Sequence, residues 1–235
     1  LRWSASPMWR RATTPLASGG PRAFTRLLAV SATAAFATLA TTTLSRAVGT
    51  FAAPAGAAAG RGGGAPSRLI WFHGLGDTSA GWAFLPPYLK ERGLDHIDFV
   101  LPTAPTMPIT VNGGMAMPGW FDMAQLPYLP STEDDAASIQ AVGVQHMTAL
   151  IEQAEAEGIP AERIAVGGFS QGGCVALVAG LAYPRKLAGI AALSGWLPSY
   201  VRADVSAVSA AAERPPVLWG HGEADPLVTL EAAAL

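Results

Sequence analysis

Gly168-Phe169-Ser170-Gln171-Gly172 places a serine between two glycines with a spacing that can do acyl chemistry. A serine hydroxyl is a weak nucleophile and needs to be held open toward a base. A tight strand-to-helix turn can do this, and the apolar run Ile164–Phe169 before Ser170 and the helical pattern after it supply the two arms of such a turn. Glycines at 168 and 172 leave room for the bend. The helix that begins there aims N–H groups at any negative charge that develops, so the Gln171 amide is a candidate oxyanion donor. The turn His73-Gly74-Leu75-Gly76-Asp77 follows another apolar run, Arg68–Phe72, and offers the Leu75 amide as the second donor. His73, beside that loop, is expected to orient it and not to act as a base. A third turn, His221-Gly222-Glu223-Ala224-Asp225-Pro226, carries two acids after Ser170 in chain order. Asp225 is preferred as the residue that would fix a base's tautomer; Glu223, nearer the strand end, is its rival.

The elements needed to position these groups are legible around them. Strands are expected at Arg68–Phe72, Ile97–Leu101, Ile164–Phe169, Ala188–Leu193 and Val217–Gly220. Helices are expected over Trp82–Arg92, from a capping box at Ser131-Thr132-Glu133-Asp134 through the stripe Ile139, Val142, Met147, Leu150, Ile151 and Ala154, and over Gly172–Leu181. Strands alternating with helices predict an α/β fold, a mostly parallel sheet with helices on both faces. Residues 102–130 hold six prolines and three glycines, fit no regular element, and are expected to form a long structured loop.

Composition sets the outer limits. The chain has 235 residues, 50% of them hydrophobic, with a net charge of −2. That is ample for one buried core and offers no charge for nucleic acid. One cysteine, Cys174, rules out an internal disulfide or a cysteine-rich metal site, and is expected to be a buried apolar residue. No metal and no cofactor are expected. The charge is unevenly spread: no acid precedes Asp77, and eight of the 15 basic residues, all arginines, lie in residues 1–76. An Arg-, Ala-, Ser- and Thr-rich, acid-free front predicts a targeting or leader segment over 1–50, with a mitochondrial or plastid transit peptide favoured over a signal peptide or anchor. An Ala/Gly/Pro-rich linker is expected over 51–66, and the folded domain over 67–235.

Four ordered blocks, RLIWFHGLGDTSAGW, LPTAPTMPITVNGGMAMPGWFDM, GGFSQGGCVAL and HGEADPLV, together resemble the acyl-protein thioesterase and carboxylesterase family of α/β-hydrolases over about residues 67–230. The resemblance implies hydrolysis of a carboxylic ester or thioester, commonly the palmitoyl thioester of an S-acylated protein or a lysophospholipid, without a cofactor. Such substrates would entail transient contact with a membrane surface, and the resemblance by itself suggests a cytoplasmic enzyme. It makes Ser170 the nucleophile, Asp225 the triad acid, and the Leu75 and Gln171 amides the oxyanion donors. It makes the loop containing Trp120, Met115 and Met117 the border of the acyl site, with Met107, Ile109 and Val111 alongside.

The chain departs from the family at one essential point. The family's base is a histidine some tens of residues after the acid, whereas the four histidines are His73, His96, His146 and His221. A start at Leu1 and an end ten residues after Asp225 lead us to expect a fragment, and little turnover from it alone. The other readings are a general short-chain carboxylesterase, and a catalytically inactive protein that binds an acyl ligand or a partner.

Overall fold

The computed structural model describes residues 2–3, 66–203 and 213–233. The expected leader and linker lie outside the described residues, except for Arg2, Trp3 and Pro66. The elements in chain order are β1 (Arg2–Trp3), β2 (Ser67–Phe72), α1 (Leu85–Lys90), β3 (Ile97–Val100), β4 (Thr106–Ile109), β5 (Met115–Pro118), α2 (Ala136–Ser138), a π-helical turn (Ile139–Val144), α3 (Gln145–Ala156), β6 (Ile164–Phe169), α4 (Gln171–Ala182), β7 (Gly189–Leu193), α5 (Ser199–Ala203), β8 (Val217–Gly222) and α6 (Leu230–Ala233). Six strands form one sheet in the order β1-β8-β7-β6-β2-β3, and all its pairs are parallel.

Neighbouring residues of a strand point to opposite faces, and the core divides accordingly. Ile70, Phe72, Val166, Ile190 and Ala192 face the cluster built with Met147 and Ile151 of α3 and with Val175 and Val178 of α4. Leu69, Trp71, Ala165, Ala191 and Leu193 face the other way, onto Trp82, Leu85 and Leu89. Helices therefore cover both faces, as expected. Helix α4 is buried nearly all round, with Gln171 through Gly180 inaccessible, which accounts for its uniformly apolar sequence.

Three expectations need correction. The loop 102–130 contains an antiparallel hairpin, β4 with β5, in the register Met107↔Met117 and Ile109↔Met115. Prolines at 108 and 118 hide it, because proline cannot donate to a ladder and argues against a strand. Second, no helix starts at the Ser131–Asp134 box. Asp135 caps α2 by accepting from the Ser138 amide, while Asp134 turns inward to accept from Tyr128 Oη at 2.7 Å, Ser199 N at 2.9 Å and Trp196 Nε1 at 3.3 Å. Third, Trp82 ends a 3₁₀ turn, Ser79–Trp82, ahead of the shorter α1; Pro86-Pro87 fits only the first turn of a helix.

Candidate active site

The turns that carry the candidate catalytic residues lie on one rim of the sheet. In the parallel register Phe72 aligns with Gly168, Phe169 with Leu193, and Leu193 with Gly220. The residues that follow, His73, Ser170, Ser194 and His221, therefore stand at the carboxyl ends of four adjacent strands, where open α/β sheets bind ligands.

Ser170 adopts φ 51°, ψ −118°, a conformation that a non-glycine residue holds only when its surroundings impose it. They do so here. Its amide donates to Leu193 O at 2.8 Å, and its carbonyl accepts from Cys174 N at 3.0 Å, the first turn of α4. A Cβ at Gly172 would meet Phe72 O at 2.3 Å, and one at Gly168 would meet Gly172 C at 2.4 Å. Both glycines are thus needed for strand and helix to approach this closely. A Cβ on Gly74 would stand 3.5 Å from Ser170 Cβ, so the His73–Asp77 turn lies directly against the serine. Ser194 also has positive φ, 47°, a strained position next to the site that the sequence did not single out.

The His73–Asp77 turn is held from below. Ala104 N donates to His73 Nε2 at 3.0 Å, which leaves the proton on Nδ1 to donate to Gly74 O at 2.7 Å. Burial lowers the His73 pKa below its ordinary value and keeps the ring neutral. The Gly74 carbonyl, which also accepts from Asp77 N at 3.2 Å, belongs to the same peptide unit as the Leu75 N–H. Pinning the carbonyl fixes the amide in the opposite direction, because the peptide is planar and trans. His73 therefore orients the loop, as its position implied.

Asp225 follows β8. Its Oδ1 accepts from Leu227 N at 2.9 Å and Val228 N at 3.1 Å, which leaves Oδ2 less committed. Oδ2 lies 3.8 Å from His221 Nε2, beyond a hydrogen bond; that nitrogen pairs with Val228 O at 2.8 Å. Glu223 is more exposed than Asp225. Among the described residues no three His, Cys, Asp or Glu side chains converge as a metal site would require.

The hairpin residues separate into two groups. Met107 and Met117 are half-buried beside the turn: a Cβ on Gly76 would stand 3.5 Å from Met117 Sδ, and one on Gly119 would stand 3.6 Å from Met107 Cγ. Met115 is 42% exposed. Ile109 and Trp120 are fully buried. The Trp120 indole packs beneath the rim, stacked on Phe72 with ring centroids 3.8 Å apart. Sequence reading also missed the Gln171 side chain. It is completely buried, accepts from Trp120 N at 2.8 Å and donates to Phe121 O at 2.7 Å. Those partners lie about fifty positions away, and no local pattern announces them.

The phospholipase/carboxylesterase family matches residues 63–235. The chain belongs to this family. Its α/β-hydrolase fold and its class, carboxylic-ester hydrolase, follow with that membership. The relatives include acyl-protein thioesterase 1 of Mycosarcoma maydis, 43% identical over 176 residues that cover 70% of this chain and 71% of that protein. The Gibberella zeae acyl-protein thioesterase 1 is 42% identical over 174 residues, 72% of this chain and 74% of its own. Among solved structures, Arabidopsis thaliana SOBER1 superposes with a TM-score of 0.67 at 35% identity, over 72% of this chain and 80% of that one. Zea mays acyl-protein thioesterase 2 superposes with a TM-score of 0.57 at 29% identity, over 73% and 77%.

Proposed function

We propose that this ester hydrolase acts on long-chain acyl thioesters of S-acylated proteins, with lysophospholipids as related substrates. The observation that carries the reading is the strained turn at Ser170, held against the Gly74–Leu75 loop by glycines that admit no side chain. The family's relatives named acyl-protein thioesterases support the thioester substrate.

In this reading Ser170 Oγ attacks the acyl carbonyl carbon. The carbonyl oxygen takes up the negative charge between the Leu75 and Gln171 amides, where preorganised donors stabilise it more than the neutral ground state. Collapse of the tetrahedral species expels the thiol or alcohol and leaves an acyl-serine, which water then hydrolyses. The acyl chain lies along Met107 and Met117, whose flexible side chains adapt to it, and Met115 meets the substrate at the exposed end, at a membrane surface. Asp225 is the acid that would orient and stabilise an imidazole accepting the serine proton.

None of the four histidines is placed for that last role. His73 and His221 are committed to backbone groups, His146 packs edge-on against Phe72 and Trp120, and His96 lies beside Asp95 ahead of β3. The serine proton is therefore assigned to none of these four rings. Turnover without an imidazole base at Ser170 should be about 10⁴–10⁶-fold slower than with one. Added imidazole can serve as that proton acceptor. We expect it to raise the hydrolysis of long-chain p-nitrophenyl esters and of a palmitoylated peptide by the chain, but not by Ser170→Ala. Equal responses from the two proteins would refute the serine mechanism. Rescue confined to short acyl chains would favour a general carboxylesterase.

A further inference from the structure

The two proposed oxyanion donors lie on separate segments, Leu75 after β2 and Gln171 at the start of α4. They must converge on one oxygen with a tolerance of about 0.5 Å. Trp120 touches both. Its indole Nε1–H donates to His73 O at 2.9 Å, the carbonyl that leads into the Gly74–Leu75 turn. Its backbone N–H donates to Gln171 Oε1, and Gln171 Nε2 returns a bond to Phe121 O. Two residues upstream, Pro118 O accepts from Gly76 N at 2.8 Å, which binds the hairpin to the other side of the same turn. Gly119 lets the segment pass: a Cβ there would come within 3.2 Å of Leu75 Cδ1 and 3.1 Å of Ile109 Cδ1.

We infer that Trp120 and the Gln171 side chain form a strut that sets the Leu75 and Gln171 amides relative to each other and to the hairpin. Trp120 is then a positioning residue, and Gln171 acts twice, through its backbone amide on the oxyanion and through its side chain on the strut. The chemical consequence rests on the hydrolase reading; the mechanical one does not. Both ends of the strut are buried, so a lost partner leaves a polar group unsatisfied and the loop shifts to find another. Because the oxyanion exists only along the reaction path, misaligned donors should lower kcat and leave KM nearly unchanged.

Two substitutions in the full chain test this. Trp120→Phe keeps a ring against Phe72 but removes the donor to His73 O. Gln171→Met keeps the length of the side chain but removes both the acceptor for Trp120 N and the donor to Phe121 O. In imidazole-rescued turnover each should lower kcat about tenfold with KM within about twofold. By NMR, hydrogen exchange at the Gly76 and Gly119 amides should quicken about tenfold, while strand β6 stays protected. If Trp120→Phe does not fold, Gln171→Met carries both measurements. Unchanged exchange at Gly76 and Gly119 would overturn the strut, whatever the turnover. Faster exchange in a chain that shows no Ser170-dependent turnover even unsubstituted would uphold the strut and refute the hydrolase reading.

Discussion

Ser170 is costly in backbone terms, and that cost can be measured. At φ 51°, ψ −118°, a side chain carries strain of about 1–3 kcal/mol that glycine avoids, offset by glycine's own entropy of about 0.5–1 kcal/mol. Ser170→Gly should therefore unfold at higher urea than Ser170→Ala, by about 1 kcal/mol, with both inactive. Equal stability would mean that the turn is not strained. His73 makes a second residue-scale prediction. Unfolded, its ring takes a proton near its ordinary pKa of 6.5; folded, burial lowers that value. Between the two pKa values the unfolded chain binds the extra proton, so stability falls as pH drops below about 6.5, by at most about 1.4 kcal/mol per pH unit. The loss levels off below the folded pKa, and no slope from His73 remains above about 6.5. His146 shifts in the same direction by burial, so the urea midpoint of His146→Gln, followed from about pH 7.5 down to about pH 5, isolates the His73 contribution. A flat profile would sink it. The backbone turns at this scale were legible, because Gly-x-Ser-x-Gly and His-Gly-Leu-Gly are local patterns with local reasons. The side-chain contacts of Trp120 and Gln171 were not, since their partners come from other segments.

Elements were legible where a period ran undisturbed. The five core strands stand within about two residues of where the apolar runs put them, because a doubly covered parallel strand is apolar on both sides. The hairpin escaped because its stability is tertiary: Asp122 clamps Thr110 by accepting from its N at 2.7 Å and its Oγ1 at 2.5 Å, and no alternation of sequence encodes that. The long helical segment differs from a plain 3.6-residue repeat for a similar reason. The π turn Ile139–Val144 brings Gly143, not Val142, onto α4 and Trp120. A Cβ at Gly143 would stand 2.6 Å from Val175 Cγ2 and 3.1 Å from Trp120 O. Gly143→Ala gains about 0.5–1 kcal/mol of helix propensity but overpacks a stiff β-branched neighbour. We expect a net loss of about 1–2 kcal/mol in urea denaturation. Because the obstruction is chiefly the Val175 methyl, Val175→Ala should cost less in the Gly143→Ala background than in the unsubstituted chain. Additive losses would show that the contact is not the cause.

At the scale of the whole molecule, the sheet order and the chain order together explain why a site built from segments about 150 residues apart could be read at all. Every strand of the six-stranded sheet is parallel to its neighbours, so each carboxyl end reaches the same rim, and each turn that follows adds its residues there. The same reasoning bears on the acid-free front of the chain. Arg2–Trp3 pairs parallel with His221 and Gly222 along the outer edge of β8, yet both apolar clusters among the described residues lie between Leu69 and Ala232. Two residues of ladder add only about 0.5–1.5 kcal/mol per hydrogen bond before the entropy of ordering them is subtracted. We propose that the folding unit is the 67–235 body, and that residues 1–65 can be deleted with a change in urea stability below about 1 kcal/mol. Deletion removes seven arginines, leaving eight basic residues against 17 acids, so the net charge moves from −2 to −9. Part of any small change would then be electrostatic and should fade with added salt, which screens it. A salt-independent loss of several kcal/mol would show instead that the front segment is built into the sheet, and that the edge of β8 needs it.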